Sequence, residues 1–195
     1  MRVVIAGILG GIAMFIWASV AHVATPLATA GLKPLPGGDV TVAHLHQQLG
    51  DKTALYFFPY AAGKDAKSMA DQEAKVASGP SGLLAYQGPS QGAFPRQMAV
   101  EFGLEIIESI LVGVLIVGAA GFGARLRLAL VIGVVAAITT NFSYWNWYGF
   151  DAAYTLANGF TELVKYLVAG AVVAWWLSRG ERTAHALSDV RLGER

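Results

Sequence analysis

Three glutamates, Glu101, Glu105 and Glu108, open an apolar stretch that runs from Ala99 to Gly123. On a helix, positions i, i+4 and i+7 fall at roughly 0°, 40° and −20°, so the three carboxylates form one acidic stripe. Like charges at this spacing repel, and more strongly where water is scarce. Water, a cation, a basic side chain or a proton has to offset that repulsion. Three chemistries fit the pattern: an acidic collar at a membrane surface, a cation or proton site, and a structural buried ion pair. Depth separates them. A hydrocarbon core about 30 Å thick takes ~20 helical residues, and Ile106 to Ala124 nearly fills it alone. The spacing therefore predicts a shallow placement, with only Glu108 just inside the hydrocarbon, and the collar is the first expectation. A boundary near Met98 would immerse all three acids.

Other polar side chains gather around the same level. Glu162 and Lys165 stand at i and i+3 in a later apolar run, close enough along a helix to pair. Lys165 is also the natural partner for Glu108 or Glu105. His22 closes the first apolar run, and Asn141 and Tyr144 lie in the third. An Asn inside a span usually hydrogen-bonds a neighbouring helix. The candidate cluster is thus Glu101, Glu105, Glu108, Asn141, Tyr144, Glu162, Lys165 and His22. Its acids outnumber its bases, which would leave a negative site, although polar residues also collect near an interface simply because they cost least there.

Little else in the chain has a chemical signature. There is no cysteine, which excludes disulfides, thiolate metal sites and cysteine nucleophiles. His44 and His46, two apart in Ala43-His44-Leu45-His46, would point to different faces of a helix, so no metal site is expected there. Nucleotide, phosphate, flavin and haem motifs are missing, as are GxSxG and HExxH. We expect no catalytic residue and no cofactor. A net charge of +1 gives no reason to expect nucleic acid.

The elements that must position these residues are membrane helices. The chain has 195 residues, is 55% hydrophobic and only 14% charged, and holds several nearly uncharged runs of about 20 residues, the length of a span. The first, Val3 to Val23, contains the pair Gly7 and Gly11, a spacing that lets another helix approach closely. Ala28-Thr29-Ala30 has the form of a signal-peptidase site, but the apolar part is longer than the 7–15 residues of an ordinary signal core. We read residues 1–24 as an uncleaved signal anchor. Further spans are expected at about 99–124, 128–148 and 159–177, within 98–178. Arg125 and Arg127 would occupy the short turn between the second and third. The aromatic residues of SYWNWYGF, from Ser143 to Phe150, suit a membrane–water interface, as do Trp175 and Trp176 at the other end. Residues 179–195 read as a cytoplasmic polar tail, partly disordered, with Arg182, Arg191 and Arg195.

Between the first two spans, residues 25–97 are polar and rich in turn signals. A helix from Val40 to Leu49, ended by Gly50, a strand from Thr53 to Phe58, a helix from Lys64 to Ala77 and a strand from Leu83 to Gln87 are expected. The fold class is then membrane all-α: a four-helix transmembrane bundle with a small α+β extracytoplasmic insertion between helices 1 and 2. Arg2, Arg125, Arg127, Arg179 and Arg182 flank one side of this arrangement, while the short outer connection carries Asp151 and no base. The positive-inside rule puts both termini in the cytoplasm of a bacterial inner membrane. The bilayer is the first partner, and another membrane protein or a second copy the next. The first functional expectation is a non-catalytic accessory or interaction protein. An oligomeric transporter or channel with a cation or proton site is the alternative, and an envelope enzyme using Glu108 on a lipid-linked substrate comes third.

Overall fold

The computed structural model describes residues 1–90 and 93–193, without the side chains of 182–193. The chain is mostly helical and divides into two compact units. Unit 1 comprises Met1–Leu32, Phe94–Trp145 and Phe150–Arg195, and unit 2 comprises Lys33–Ala93 and Asn146–Gly149.

Unit 1 holds the long helices: α1 (Arg2–Ala24), α4 (Ala93–Ile116), α5 (Gly121–Ala137) and α7 (Ala152–Gly193). Three helical stretches are long and apolar enough to cross a membrane: Arg2–Ala24, Gly121–Tyr148 and Ala152–Glu181. Among the long helices, α4 is set apart by its three glutamates. Neighbouring helices run in opposite directions along α1–α4, α1–α7 and α5–α7. Val3 and Ile110 of α1 and α4 face Gly113 and Gly7 respectively, and Phe15 meets Phe102 edge-on at 5.1 Å. Arg2 lies against Gly180 of α7, whereas Trp17 Nε1 donates to the Thr161 carbonyl at 3.0 Å. Between α5 and α7, Ala129 faces Gly170 and Tyr166 faces Gly133. α7 therefore touches α1 and α5, and it meets α4 where a Cβ on Gly113 would lie 3.6 Å from Val173 Cγ1. Small residues make these approaches close. A Cβ placed on Gly7 would sit 2.6 Å from Ile110 Cα, and one on Gly11 2.6 Å from Ile106 Cα. The Gly7/Gly11 spacing brings two backbones together, as glycine pairs do in lipid. The core is Ala6, Val112, Ile116, Val173 and Leu177.

Several element bounds differ from the sequence expectation for local reasons. α4 stops at Ile116, not near 124, and the chain turns back through Gly121 at φ +76°, a conformation suited to glycine. Arg125 and Arg127 consequently lie in the first turns of α5, not in a connecting turn. α7 begins at Ala152, ahead of 159, because Asp151 Oδ1 accepts from Ala153 N at 2.7 Å and Tyr154 N at 3.3 Å and so caps its N-terminus. α7 also continues helically to Gly193, where a partly disordered tail was expected; Arg182 and Arg191 have side chains outside the described residues, and Arg195 lies outside them entirely. The third apolar run is a continuous helix from Gly121 to Tyr148 with a π-helical segment at Ile138–Phe142. There Thr139 and Thr140 donate to the carbonyls of Val135 and Ala136 at 2.8 and 2.5 Å, in competition with the backbone amides, which favours a widened turn.

Unit 2 is built on a two-stranded antiparallel sheet, β1 (Ala54–Phe58) and β2 (Gly82–Tyr86), in the register Ala54↔Tyr86 to Phe58↔Gly82. α3 (Ala66–Ser78) joins the strands, and α2 (Gly38–Leu49) precedes them. Asp65 caps α3, accepting from Lys67 N and Ser68 N, and Gly50 at φ +69° ends α2. Tyr86 ties the end of α2 to the sheet: its hydroxyl donates to the Gly50 carbonyl at 2.9 Å and lies 3.2 Å from His46 Nδ1. Gln72 of α3 donates to the Pro59 carbonyl at 2.7 Å. Tyr148, at the end of α6 (Ser143–Tyr148), packs edge-on against Phe57 at 6.3 Å.

Candidate functional site

The acidic stripe of α4 is divided by its surroundings. Glu105 is fully buried, Glu108 is about a third exposed, and Glu101 is exposed. The buried positions of α4 are Glu105, Ser109, Val112, Gly113 and Ile116, which is the i, i+4, i+7, i+8, i+11 pattern of one helix face. Glu105 heads that face and lies against α1: a Cβ on Gly11 would stand 2.9 Å from the Glu105 carbonyl oxygen. The sequence expectation ranked the acids by depth and singled out Glu108. Packing ranks them differently, because α1 covers the Glu105–Ser109 line and leaves Glu108 toward the rim.

Lys165 of α7 faces this stripe with its side chain only 7% exposed. Its Nζ lies 3.3 Å from Glu162 Oε2, 3.5 Å from Glu108 Oε2 and 3.9 Å from Glu105 Oε1. The expected choice between Glu105, Glu108 and Glu162 is not made: the ammonium is shared by all three. Tyr166, the next residue, donates its hydroxyl to Glu108 Oε2 at 3.3 Å. Three carboxylates against one ammonium leave two negative charges unmatched when all are ionised. Geometry adds to the imbalance. Both carboxylate oxygens of Glu105 and the Ser109 hydroxyl are buried without a hydrogen-bond partner among the described residues. Such groups carry a desolvation cost that only a partner or neutralisation relieves.

The other residues of the candidate cluster go elsewhere. His22 Nδ1 lies 2.9 Å from the Ala18 carbonyl of its own helix, on an exposed side. Asn141 donates to Ala137 O at 3.1 Å and Thr140 Oγ1 at 3.0 Å, so it turns back onto its own helix and, among the described residues, makes no bond to a neighbouring one. Tyr144 stacks at 5.4 Å on Phe150. Glu101 remains on the exposed side of α4.

Ser109 and Tyr166 were missed from sequence. Ser109 was readable: with Gly113 it continues the i, i+4, i+8 line from Glu105, a small-residue stripe that marks a helix contact. Tyr166 had no such signal, since a tyrosine beside a lysine is ordinary in a span. A second polar centre was missed altogether. Arg125, 1% exposed, grips the Glu181 carboxylate with both Nη1 and Nη2, and also donates to Ser178 Oγ at 3.0 Å and the Val117 carbonyl at 3.4 Å. This pair joins the start of α5 to the far part of α7.

What the Lys165 arrangement can do chemically is hold charge. It contains no nucleophile paired with a base, and its carboxylates converge on one ammonium. No family model matches the chain, and no curated protein or solved structure matches it either.

Proposed function

We propose that the chain is a four-helix transmembrane bundle of α1, α4, α5 and α7 that serves as a non-catalytic accessory or interaction protein. The observation that carries this reading is the enclosure of Glu105. Gly10 and Gly11 bring α1 into contact with Ser109 and with the α4 backbone at Ile106 and Glu105, and Lys165 faces the carboxylate from α7. An acid held this way is a fixed part of helix packing, not the wall of a pathway. It also explains how Glu105 and Glu108 stand beside apolar helices: Lys165 of α7 faces both. Arg2, Arg125 and Arg179 stand at one end of unit 1, where Arg2 meets Gly180 and Arg125 meets Glu181. The positive-inside rule assigns that end to the cytoplasm, with both termini there, in a bacterial inner membrane, and unit 2 outside. Exposed apolar side chains on α4 and α5, such as Ile107, Leu111, Val131 and Val135, face lipid, a partner membrane protein or a second copy.

One observation favours a second reading, a small oligomeric transporter or channel with a cation or proton site. Glu105 and Ser109 keep buried, unpartnered oxygens beside an excess of negative charge. Reconstitution decides between the two. Wild type and Glu105→Gln are placed in liposomes, and dissipation of imposed proton, sodium and potassium gradients is followed. The accessory reading expects no flux above protein-free liposomes for either protein. A flux present in wild type and lost in Glu105→Gln would replace it with the transport reading.

A further inference from the structure

Unit 2 holds a cavity of about 400 Å³ where the chain leaves β1, loops back and enters α3. Sites for small molecules span roughly 300–1,000 Å³. Phe57 of β1 and Met69 of α3 supply apolar walls. Gln72, three residues after Met69 and on the same face of α3, donates to the Pro59 carbonyl at 2.7 Å and holds the chain after β1 against the helix. Ala61 and Gly63 line the cavity with little or no side chain and so leave its volume open. At Gly63 that is enforced: a Cβ there would lie 2.7 Å from Asp65 Oδ2 and 3.0 Å from Ser68 Oγ, inside the α3 cap. Tyr60 and Met69, at 78% and 59% exposure, bring large apolar side chains to the open side of the cavity.

The charges beside the cavity choose the sign of its occupant. Lys64 lines it, and among the described residues no acid pairs with that ammonium. Asp65, the next residue, accepts from Lys67 N, Ser68 N and Ser68 Oγ, and is thereby committed to capping α3. The cap also occupies the amides with which a helix N-terminus would hold a phosphate. One ammonium and the Tyr60 hydroxyl remain as donors, a set that suits a singly charged acid better than a dianion. We propose that this cavity binds a small organic carboxylate with an aromatic or aliphatic body, the carboxylate on Lys64 and Tyr60 and the body between Phe57 and Met69. A ring or chain there gains contact with an aromatic face and an adaptable thioether stem. The lining residues all belong to unit 2, so the site is separate from the Lys165 cluster.

Methionine-methyl NMR of the full chain in phosphatidylcholine nanodiscs tests this, with 4-phenylbutyrate as the probe. The Met69 methyl should shift saturably, while that of Met14, fully buried in unit 1, should not. The alcohol and amine of the same skeleton, 4-phenylbutanol and 4-phenylbutylamine, should bind about fivefold more weakly, the worth of one partly exposed ion pair. Lys64→Gln should bring the acid down to the level of the alcohol and leave the alcohol unchanged, a split that a general loss of structure does not produce. Ala61→Leu fills the cavity and should weaken both. Lys75→Gln, in the last turn of α3 and outside the cavity, should weaken neither. Equal affinity of wild type for acid, alcohol and amine overturns the proposal and leaves an apolar patch. A Met69 shift that Lys64→Gln does not weaken overturns it too, as does no saturable shift at millimolar probe. Inorganic phosphate that displaces the probe at millimolar concentration would assign the site to a soluble anion and overturn the carboxylate assignment. Lys64→Gln changes an exposed side chain, so the test survives if Ala61→Leu fails to fold.

Discussion

Among its described residues unit 1 buries two cations, Arg125 and Lys165, and handles them in opposite ways. Their side chains are 2% and 7% exposed. Arg125 has one acid, Glu181, met through a two-pronged contact, and that acid keeps 48% of its side chain in contact with the surroundings. Lys165 has three acids at 3.3, 3.5 and 3.9 Å, and the most distant is the most buried. The guanidinium meets a single acid among the described residues, and that acid sits at the rim. The ammonium centre is unbalanced one to three, with an acid inside. A fork of fixed donors selects one carboxylate, whereas a point charge on a flexible stem can be shared. The difference teaches that a buried cation is not by itself a strong bond: what matters is whether its removal strands a charge that cannot reach water.

The largest effect should therefore come from Lys165→Met. It leaves Glu105 buried among like charges, and we expect a loss of about 3–5 kcal/mol of stability in reversible unfolding from mixed micelles. Adding Glu105→Gln to that variant should restore at least half of the loss, because no buried charge is then stranded. A Lys165→Met protein as stable as wild type would erase the contrast between the two centres. Next is Gly11→Leu, which forces α1 away from Ile106 and opens the cover over Glu105. A cost of about 1–3 kcal/mol is expected from overpacking, and a neutral result would show that α1 does not enclose the acid. Arg125→Lys should cost about 1.5 kcal/mol through the lost second prong. That cost should shrink in 1 M salt, since Glu181 is half exposed, while the Lys165→Met cost should not.

The smallest effect concerns an exposed acid held by hydrogen bonds to Ser68 and Lys67 N. Asp65 caps α3, and its bonds to Ser68, side chain first and then backbone, hold its carboxyl below the ordinary aspartate value. A folded-state value lower than the unfolded one means the stabilisation is complete above the unfolded value. It is lost as pH falls from there through the folded value. Amide exchange in the first turn of α3 should accelerate in that acidic window, and Asp65→Asn should flatten the dependence. The two buried centres give the scale against which this exposed cap is weak.

The partners of Lys165 were readable in sequence, because Glu105, Glu108 and Glu162 were each at helical spacing or at one depth with it. The order among the acids was not. A helical wheel puts Glu101, Glu105 and Glu108 on one stripe but does not say which edge of it another helix covers. That edge is set by Gly10 and Gly11, more than 90 positions away in the chain. The Arg125–Glu181 pair was hidden because Glu181 lies beyond the last long apolar run, which ends at Leu177, and reads as tail, and nothing local announces that α7 runs on through it. Asn141 misled for the converse reason. The general tendency of an intramembrane Asn is to bond across helices, and the adjacent Thr139 and Thr140 offered it a local solution instead. The strands of unit 2 came out within a residue of expectation, since Pro59 and the Gly79–Gly82 region punctuate them.

The sharing of Lys165 has a consequence for biogenesis. Synthesis runs from the N-terminus, so α4 is complete, with all three carboxylates, before the ribosome has reached residue 165. During that interval the ammonium that Glu105 and Glu108 face is not yet made, and membrane entry as a lone segment would leave those two acids without it. In the proposed four-helix bundle, α4 is a passenger that waits at an aqueous or translocon-lined site until α7 arrives. A nascent chain stalled short of Lys165, carrying a single cysteine at position 111, should label with a water-borne thiol reagent, and one stalled after the end of α7 should not. The last long helix made then decides the fate of one made two helices earlier.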